Sequence, residues 1–249
     1  MMGAYSKETK HMKKLLLGTV VGLPLGLAFA SVAMAEPGVS PTVWSVRTDK
    51  LEYRVGDEEN SFAWEFEAWT GNDELRLVWN SEGTRIKGGI FEELDNQIRL
   101  QKPITDFFDG FIGVAASTPD SLPERYYGAF GVTGLAPQWF DVEAALYVSQ
   151  YPYIGAEVEY EGLITNRLIL VPSIEASFPL ADDSARKIDA GGAAVELGLR
   201  LSYDLIGRSV SPYIGVNYER AFGGTADILR DNGNQVDEVA GVIGINLMF

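Results

Sequence analysis

Cysteine is absent from the 249 residues, and histidine occurs once, as His11. The first absence removes disulfides and thiolate metal sites. The second removes a Ser-His-Asp triad, His-ligated zinc and a histidine base, because His11 falls in an N-terminal block that reads as a leader. Basic residues are also scarce, with 20 Lys and Arg against 35 Asp and Glu. A surplus of acid disfavours nucleic acid as a partner and favours cations. Long apolar runs are missing beyond the N-terminal block, so no later stretch resembles a membrane-spanning helix.

The block itself has three parts. Lys7, Lys10, Lys13 and Lys14 precede an apolar run from Leu15 to Ala30, which ends in the small-x-small sequence Ala33-Met34-Ala35. That order is the signature of a secretory signal peptide with cleavage after Ala35. Three regions follow: a signal peptide at 1–35, a short periplasmic segment at 36–47 and a barrel domain at 48–249. Cleavage leaves 16 Lys and Arg against 34 Asp and Glu, a formal charge of −18, with Met248 as the one remaining methionine.

Alternation with a period of two dominates the rest. Phe62, Trp64, Phe66 and Ala68 fall on one face of a segment whose other face carries Glu65 and Glu67. Similar patterns occupy Phe140–Val148, Ile154–Glu161 and Val195–Asp204, and the last segment sets Val239, Ile243, Ile245, Leu247 and Phe249 on one side. About twelve strands are expected, starting near residues 48, 61, 74, 90, 107, 125, 139, 153, 167, 193, 210 and 237. Short connections (70–73, 102–105, 163–166) alternate with longer ones rich in Gly, Pro and Asp (83–89, 117–125, 179–194, 223–237). Aromatics cluster near strand ends: Trp64, Trp69, Trp79, Phe107, Phe108, Tyr126, Tyr127, Trp139, Phe140, Tyr151 and Tyr153. These features predict an all-β, antiparallel up-and-down barrel in the outer membrane of a Gram-negative cell, with aromatic girdles in contact with lipid. A soluble sandwich or lipocalin-like barrel has the same alternation but turns its apolar face inward.

In the membrane arrangement the polar face lines the lumen. Glu52, Glu65, Glu67, Glu93, Asp95, Asp109, Asp141, Glu143, Glu157, Glu159, Glu175, Glu196, Asp204 and Glu219 are then inside, opposed chiefly by Arg54, Arg76, Arg99 and Arg200. Residues two apart on a strand face lie about 7 Å apart. The pairs Glu65/Glu67 and Glu157/Glu159 are therefore candidate metal ligands or parts of a cation path. The competing reading is a lumen filled by Glu–Arg pairs. The loop acids Asp182, Asp183, Asp189, Asp227, Asp231, Asp237 and Glu238 suit Ca²⁺ or lipopolysaccharide cations, or are simply solvated. No nucleophile elbow or phosphate loop is present, and the chain reads as a non-enzyme.

Several stretches run in the order of a known family: KLEYR (Lys50–Arg54), WEFEAWTG (Trp64–Gly71), GVTGLAPQWFDVEAALYV (Gly131–Val148), LITNRLILVPSIEA (Leu163–Ala176), LGLRLSYD (Leu197–Asp204) and SPYIGVNYERAFGGTADILR (Ser211–Arg230). On these the chain resembles copper resistance protein B. The resemblance implies an outer-membrane location, copper as the bound or transported ion, a part in copper homeostasis and tolerance, and a periplasmic copper oxidase or copper-binding protein as partner. Members of that family commonly carry a Met- and His-rich segment before the barrel, whereas Glu36–Arg47 contains no Met, His or Cys. A small cation-selective porin or surface-binding barrel without direct copper binding is the alternative function. A barrel enzyme with a carboxylate site is a second.

Overall fold

A computed structural model describes residues 41–56 and 59–249. The expected signal peptide, its cleavage point at Ala35 and residues 36–40 lie outside the described residues.

The chain forms β1 (Val43–Gly56), β2 (Ser61–Gly71), β3 (Arg76–Ile86), β4 (Phe91–Pro103), β5 (Phe108–Ser117), β6 (Arg125–Ala136), β7 (Phe140–Val148), β8 (Tyr153–Tyr160), the two-residue β9 (Gly162–Leu163), β10 (Leu168–Pro179), β11 (Ala193–Tyr203), β12 (Val210–Phe222), helix α1 (Gly223–Asp231) and β13 (Asp237–Met248). Each strand pairs antiparallel with its neighbours, and β13 pairs with β1, so the wall closes as twelve staves with β9 a short appendage of β10. Closure leaves no edge strand, which a lipid-facing sheet requires because hydrocarbon offers no hydrogen-bond partners. The seam is locked at its end: Val46 N–H donates to the Phe249 carbonyl at 3.0 Å and Phe249 N–H to that of Val46 at 2.9 Å.

Alternation sorts the faces. Ile98, Ile112, Val114, Phe130, Ile174, Leu197, Ile214 and Ile243 are exposed on the outside of mid-strand, while Lys50, Glu52, Gln97, Arg99 and Arg200 are buried inside. That inversion of the soluble pattern excludes the sandwich and lipocalin readings, since a water-facing belt of this size would be unstable in solution. The rim that carries the chain end displays Trp44, Phe107, Trp139 and Phe249, and the opposite rim Tyr53, Phe62, Tyr126 and Phe178. These form the two girdles.

Four of the expected girdle aromatics face inward instead. Trp69 lies beneath Arg76, whose guanidinium is 4.9 Å from the ring, and Tyr151 packs against Arg125 at 4.3 Å. Tyr127, Tyr147 and Tyr153 form an internal cluster, with the Tyr147 and Tyr153 rings stacked at 4.4 Å. Proximity to a strand end does not fix a residue's side; parity does.

Connections at the rim with the chain end are short, as expected. At the other rim, β3 runs through Ile86, so the expected 83–89 loop shrinks to a tight turn. The 223–237 loop contains α1, an element that its polar, Gly-rich sequence did not announce. The long β10–β11 loop folds over the same rim. Asp183 accepts two hydrogen bonds from the Arg125 guanidinium (2.8 and 2.9 Å), and Arg186 donates to Ser117 Oγ and to the Pro123 carbonyl at 3.0 Å each.

β1 begins at Val43, earlier than residue 48, and carries a bulge. Arg47 opposes Glu67, Thr48 opposes Phe66, and then Lys50, not Asp49, opposes Glu65. The extra residue reverses the alternation, so Arg47 and Lys50 both point inward. Thr48 Oγ1 accepts from Leu247 N–H at 3.0 Å and so satisfies a ladder donor beside the bulge.

Candidate functional site: a charged lumen

Two ladders of directly opposed residues cross the inner wall. One follows Lys50, Glu65, Glu82, Asp95, Ser117 and Arg125 through β1 to β6. The other joins Glu143, Glu157, Glu175, Glu196, Glu219 and Glu238 through β7, β8, β10, β11, β12 and β13. Opposed residues in an antiparallel pair share a face with Cβ atoms about 5 Å apart, and like charges so placed repel. A run of six carboxylates is therefore stable only where cations or protons answer it.

Some of the answer is built in. Glu52, with its side chain wholly buried, is the hub. Its carboxylate accepts from Arg200 Nε and Nη2 at 3.0 Å each, from Arg54 Nε at 2.8 Å and from the Tyr213 hydroxyl at 2.9 Å. Arg54 reaches on to Glu196 at 3.1 Å. Space for the hub comes from two glycines: a Cβ at Gly244 would meet Tyr213 and Glu52, and one at Gly198 would meet Arg200. Arg99, almost fully buried, donates through Nη1 to both oxygens of Glu143 at 2.8 Å, lies 3.6 Å from Glu67, and stacks on Phe111 at 4.3 Å. Gln101 donates to Asp109 at 2.7 Å.

The four candidate ligands divide. Glu65 is 2.8 Å from Lys50 Nζ, and Glu67 is 3.3 Å from Arg47 Nε, so one pair is already matched by bases. Lys50 and Arg47 escaped the sequence reading because the bulge hides their parity. Glu157 and Glu159, like Glu175 and Glu219, have no Lys or Arg within ion-pairing distance among the described residues. No group of three or more His, Cys, Asp and Glu side chains is arranged to hold a metal ion among the described residues. Of the other acids placed in the lumen, Asp204 sits beyond the end of β11, where it accepts from Arg208 N–H at 2.6 Å and shapes a turn. Glu82, which the sequence reading passed over, joins the first ladder.

The interior holds several hollows. One, near the rim with the chain end, is lined by Asp49, Lys50, Asp141, Glu159, Arg208 and Asn246. Another extends toward the looped rim along Glu82, Asp95, Gln97, Tyr127, Tyr153 and Glu175. They meet at a neck where Arg47, Glu65, Thr133, Glu143 and Glu157 line both. A third lies under α1 between Glu93, Asn217, Glu219 and Glu238.

A closed antiparallel wall, an outward apolar belt with aromatic girdles and a charged interior define a transmembrane β-barrel of the outer-membrane type. Among solved structures, the NanC porin aligns over 82% of this chain and 99% of its own, with a TM-score of 0.51 and 14% identity, a likeness of fold. The chain belongs to the copper resistance protein B family, whose model, described as copper resistance protein B precursor (CopB), matches residues 42–249. Two curated relatives agree. A copper resistance protein B homolog of Pseudomonas syringae pv. tomato is 33% identical over 203 residues, covering 81% of this chain and 68% of the relative. Copper resistance protein B of Escherichia coli is 35% identical over 207 residues, covering 82% and 69%.

Proposed function

We propose that the chain supports copper tolerance by carrying copper ions through its lumen along the β7–β13 carboxylate ladder, without catalysing a reaction. The observation that carries this reading is the run Glu143–Glu157–Glu175–Glu196–Glu219–Glu238, in which Arg99 and Arg54 neutralise Glu143 and Glu196 while Glu157, Glu175 and Glu219 are left for mobile cations. Oxygen donors of this kind suit Cu(II); Cu(I) prefers thioether and thiolate groups, of which the lumen offers one, Met248 at the rim with the chain end. Glu157 and Glu159 serve as the wall that meets the ion, and Glu65 and Glu67 act mainly through their bases. A periplasmic copper oxidase or copper-binding protein exchanges the ion at the rim with the chain end.

The test combines Glu157→Gln, Glu159→Gln and Glu175→Gln in one barrel. Cellular copper tolerance is expected to fall, and Cu(II) flux into vesicles carrying the purified protein to fall with it. Equal loss of Mg²⁺ and Cu(II) flux would point to a general cation porin. Unchanged tolerance and flux in folded protein would remove the lumenal reading.

A further inference from the structure

The reading above uses Lys50 only as the partner of Glu65, yet it is a buried lysine beside the ion path. Only 8% of it is exposed, and it lines the hollow nearest the chain end at the level where that hollow meets the next. Its ammonium lies 2.8 Å from Glu65, a residue of the shared neck. Glu65 lies beside Glu82 on the first ladder, and Glu157, which also lines both hollows, belongs to the second. The Nζ thus sits against a carboxylate that an ion crossing from hollow to hollow would meet.

We propose that Lys50 is a tethered cation that closes the neck, and that an entering cation passes by displacing its ammonium from Glu65. The inference rests on the lumen being a cation path but not on copper being the cargo. Its chemistry is ion exchange. A lysine holds a single charge on a flexible stem of four carbons and shifts more easily than an arginine fork. A divalent ion gains about twice the Coulomb energy of a monovalent one from the same carboxylates at equal distance. The neck should therefore favour divalent over monovalent cations and exclude anions. Arg47 also lines the neck, but its guanidinium is held by Asp49 and Glu67 at 3.1 and 3.3 Å, which makes it the fixed cation there.

Planar-bilayer recordings in KCl with wild-type, Lys50→Met and Lys50→Arg barrels test this. Lys50→Met should raise unitary conductance several-fold and move the reversal potential toward ideal cation selectivity, with Lys50→Arg at or below wild type. Glu65→Gln, which frees the ammonium within the neck, should reduce cation selectivity. A second measurement needs no variant. Acetylation of wild-type protein in vesicles, read by mass spectrometry, should label Lys50 faster when Mg²⁺ or Cu(II) is added, while exposed Lys102 reacts at a constant rate. Wild-type conductance and selectivity in folded Lys50→Met, or Lys50 labelling indifferent to added cation, overturns the proposal. If Lys50→Met opens the neck while Cu(II) permeates no better than Mg²⁺, the copper assignment fails and the tethered cation stands.

Discussion

Strands β1 to β4 send Arg47, Lys50, Arg54, Arg76 and Arg99 into the lumen, whereas β7 to β13 send Arg200 and a ladder of carboxylates. On the first side each of these bases has a carboxylate within 4 Å, and Glu82, Glu93 and Asp95 are left without a base that near; on the second Glu157, Glu159, Glu175 and Glu219 are left so among the described residues. The paired wall fills the barrel, and on the function proposed above the unpaired wall meets the ions.

The contrast breaks most severely at the hub. Glu52→Ala strands Arg54 and Arg200 without their shared carboxylate, and a loss of about 3–5 kcal/mol is expected on breaking so buried a pair, read by urea unfolding of the vesicle-inserted barrel. A charge on the opposite face is next: Ile214→Lys, outward at mid-strand, should cost about 2–4 kcal/mol in the same assay. Arg99→Met removes the Nη1 donor shared by both Glu143 oxygens and should cost about 1.5–3 kcal/mol. On the unpaired wall the sign should change. Glu157→Gln with Glu175→Gln relieves opposed like charges and should raise stability by up to about 1 kcal/mol even as cation flux falls; a clear loss of stability would show that this wall, too, is structural.

The smallest effect belongs to the looped rim. The Arg125 guanidinium, hydrogen-bonded to Asp183, holds that carboxyl below its ordinary value. A lowered carboxyl contributes stability in full above the unfolded value of about 3.9 and loses it as pH falls through the folded one. Proteolysis of the 180–192 loop should thus be constant from neutral pH down to about 4 and accelerate only below it. Asp183→Asn should show the fast rate at neutral pH.

Much of this was written in the chain. Strand starts at 61, 125, 153, 193, 210 and 237 agree with the observed ones, because turns of Gly, Asn, Asp and Pro interrupt a steady alternation. The acidic lumen was legible for the same reason. Three things were not. The bulge at Asp49 broke parity where no residue type marks it, so Arg47 and Lys50 were missed. The hub at Glu52 depends on Arg200, 148 positions away, and on the closure of the wall. The cross-strand ladder depends on register, which periodicity along one strand leaves undetermined.

The single extra residue in β1 also works as a reading frame. Upstream of Asp49 the odd-numbered Ser45 and Arg47 point inward; downstream the even-numbered Lys50, Glu52 and Arg54 do. Because Asp49 is the residue without a partner on β2, deleting it would leave every other pairing in register: Arg47 and Lys50 would become ordinary neighbours two apart on the inner face, and the strand would lose its kink and the carboxylate that pairs with Arg47 at 3.1 Å. Deleting Leu51, by contrast, would put Lys50 and Glu52 on opposite faces and carry one of them into hydrocarbon.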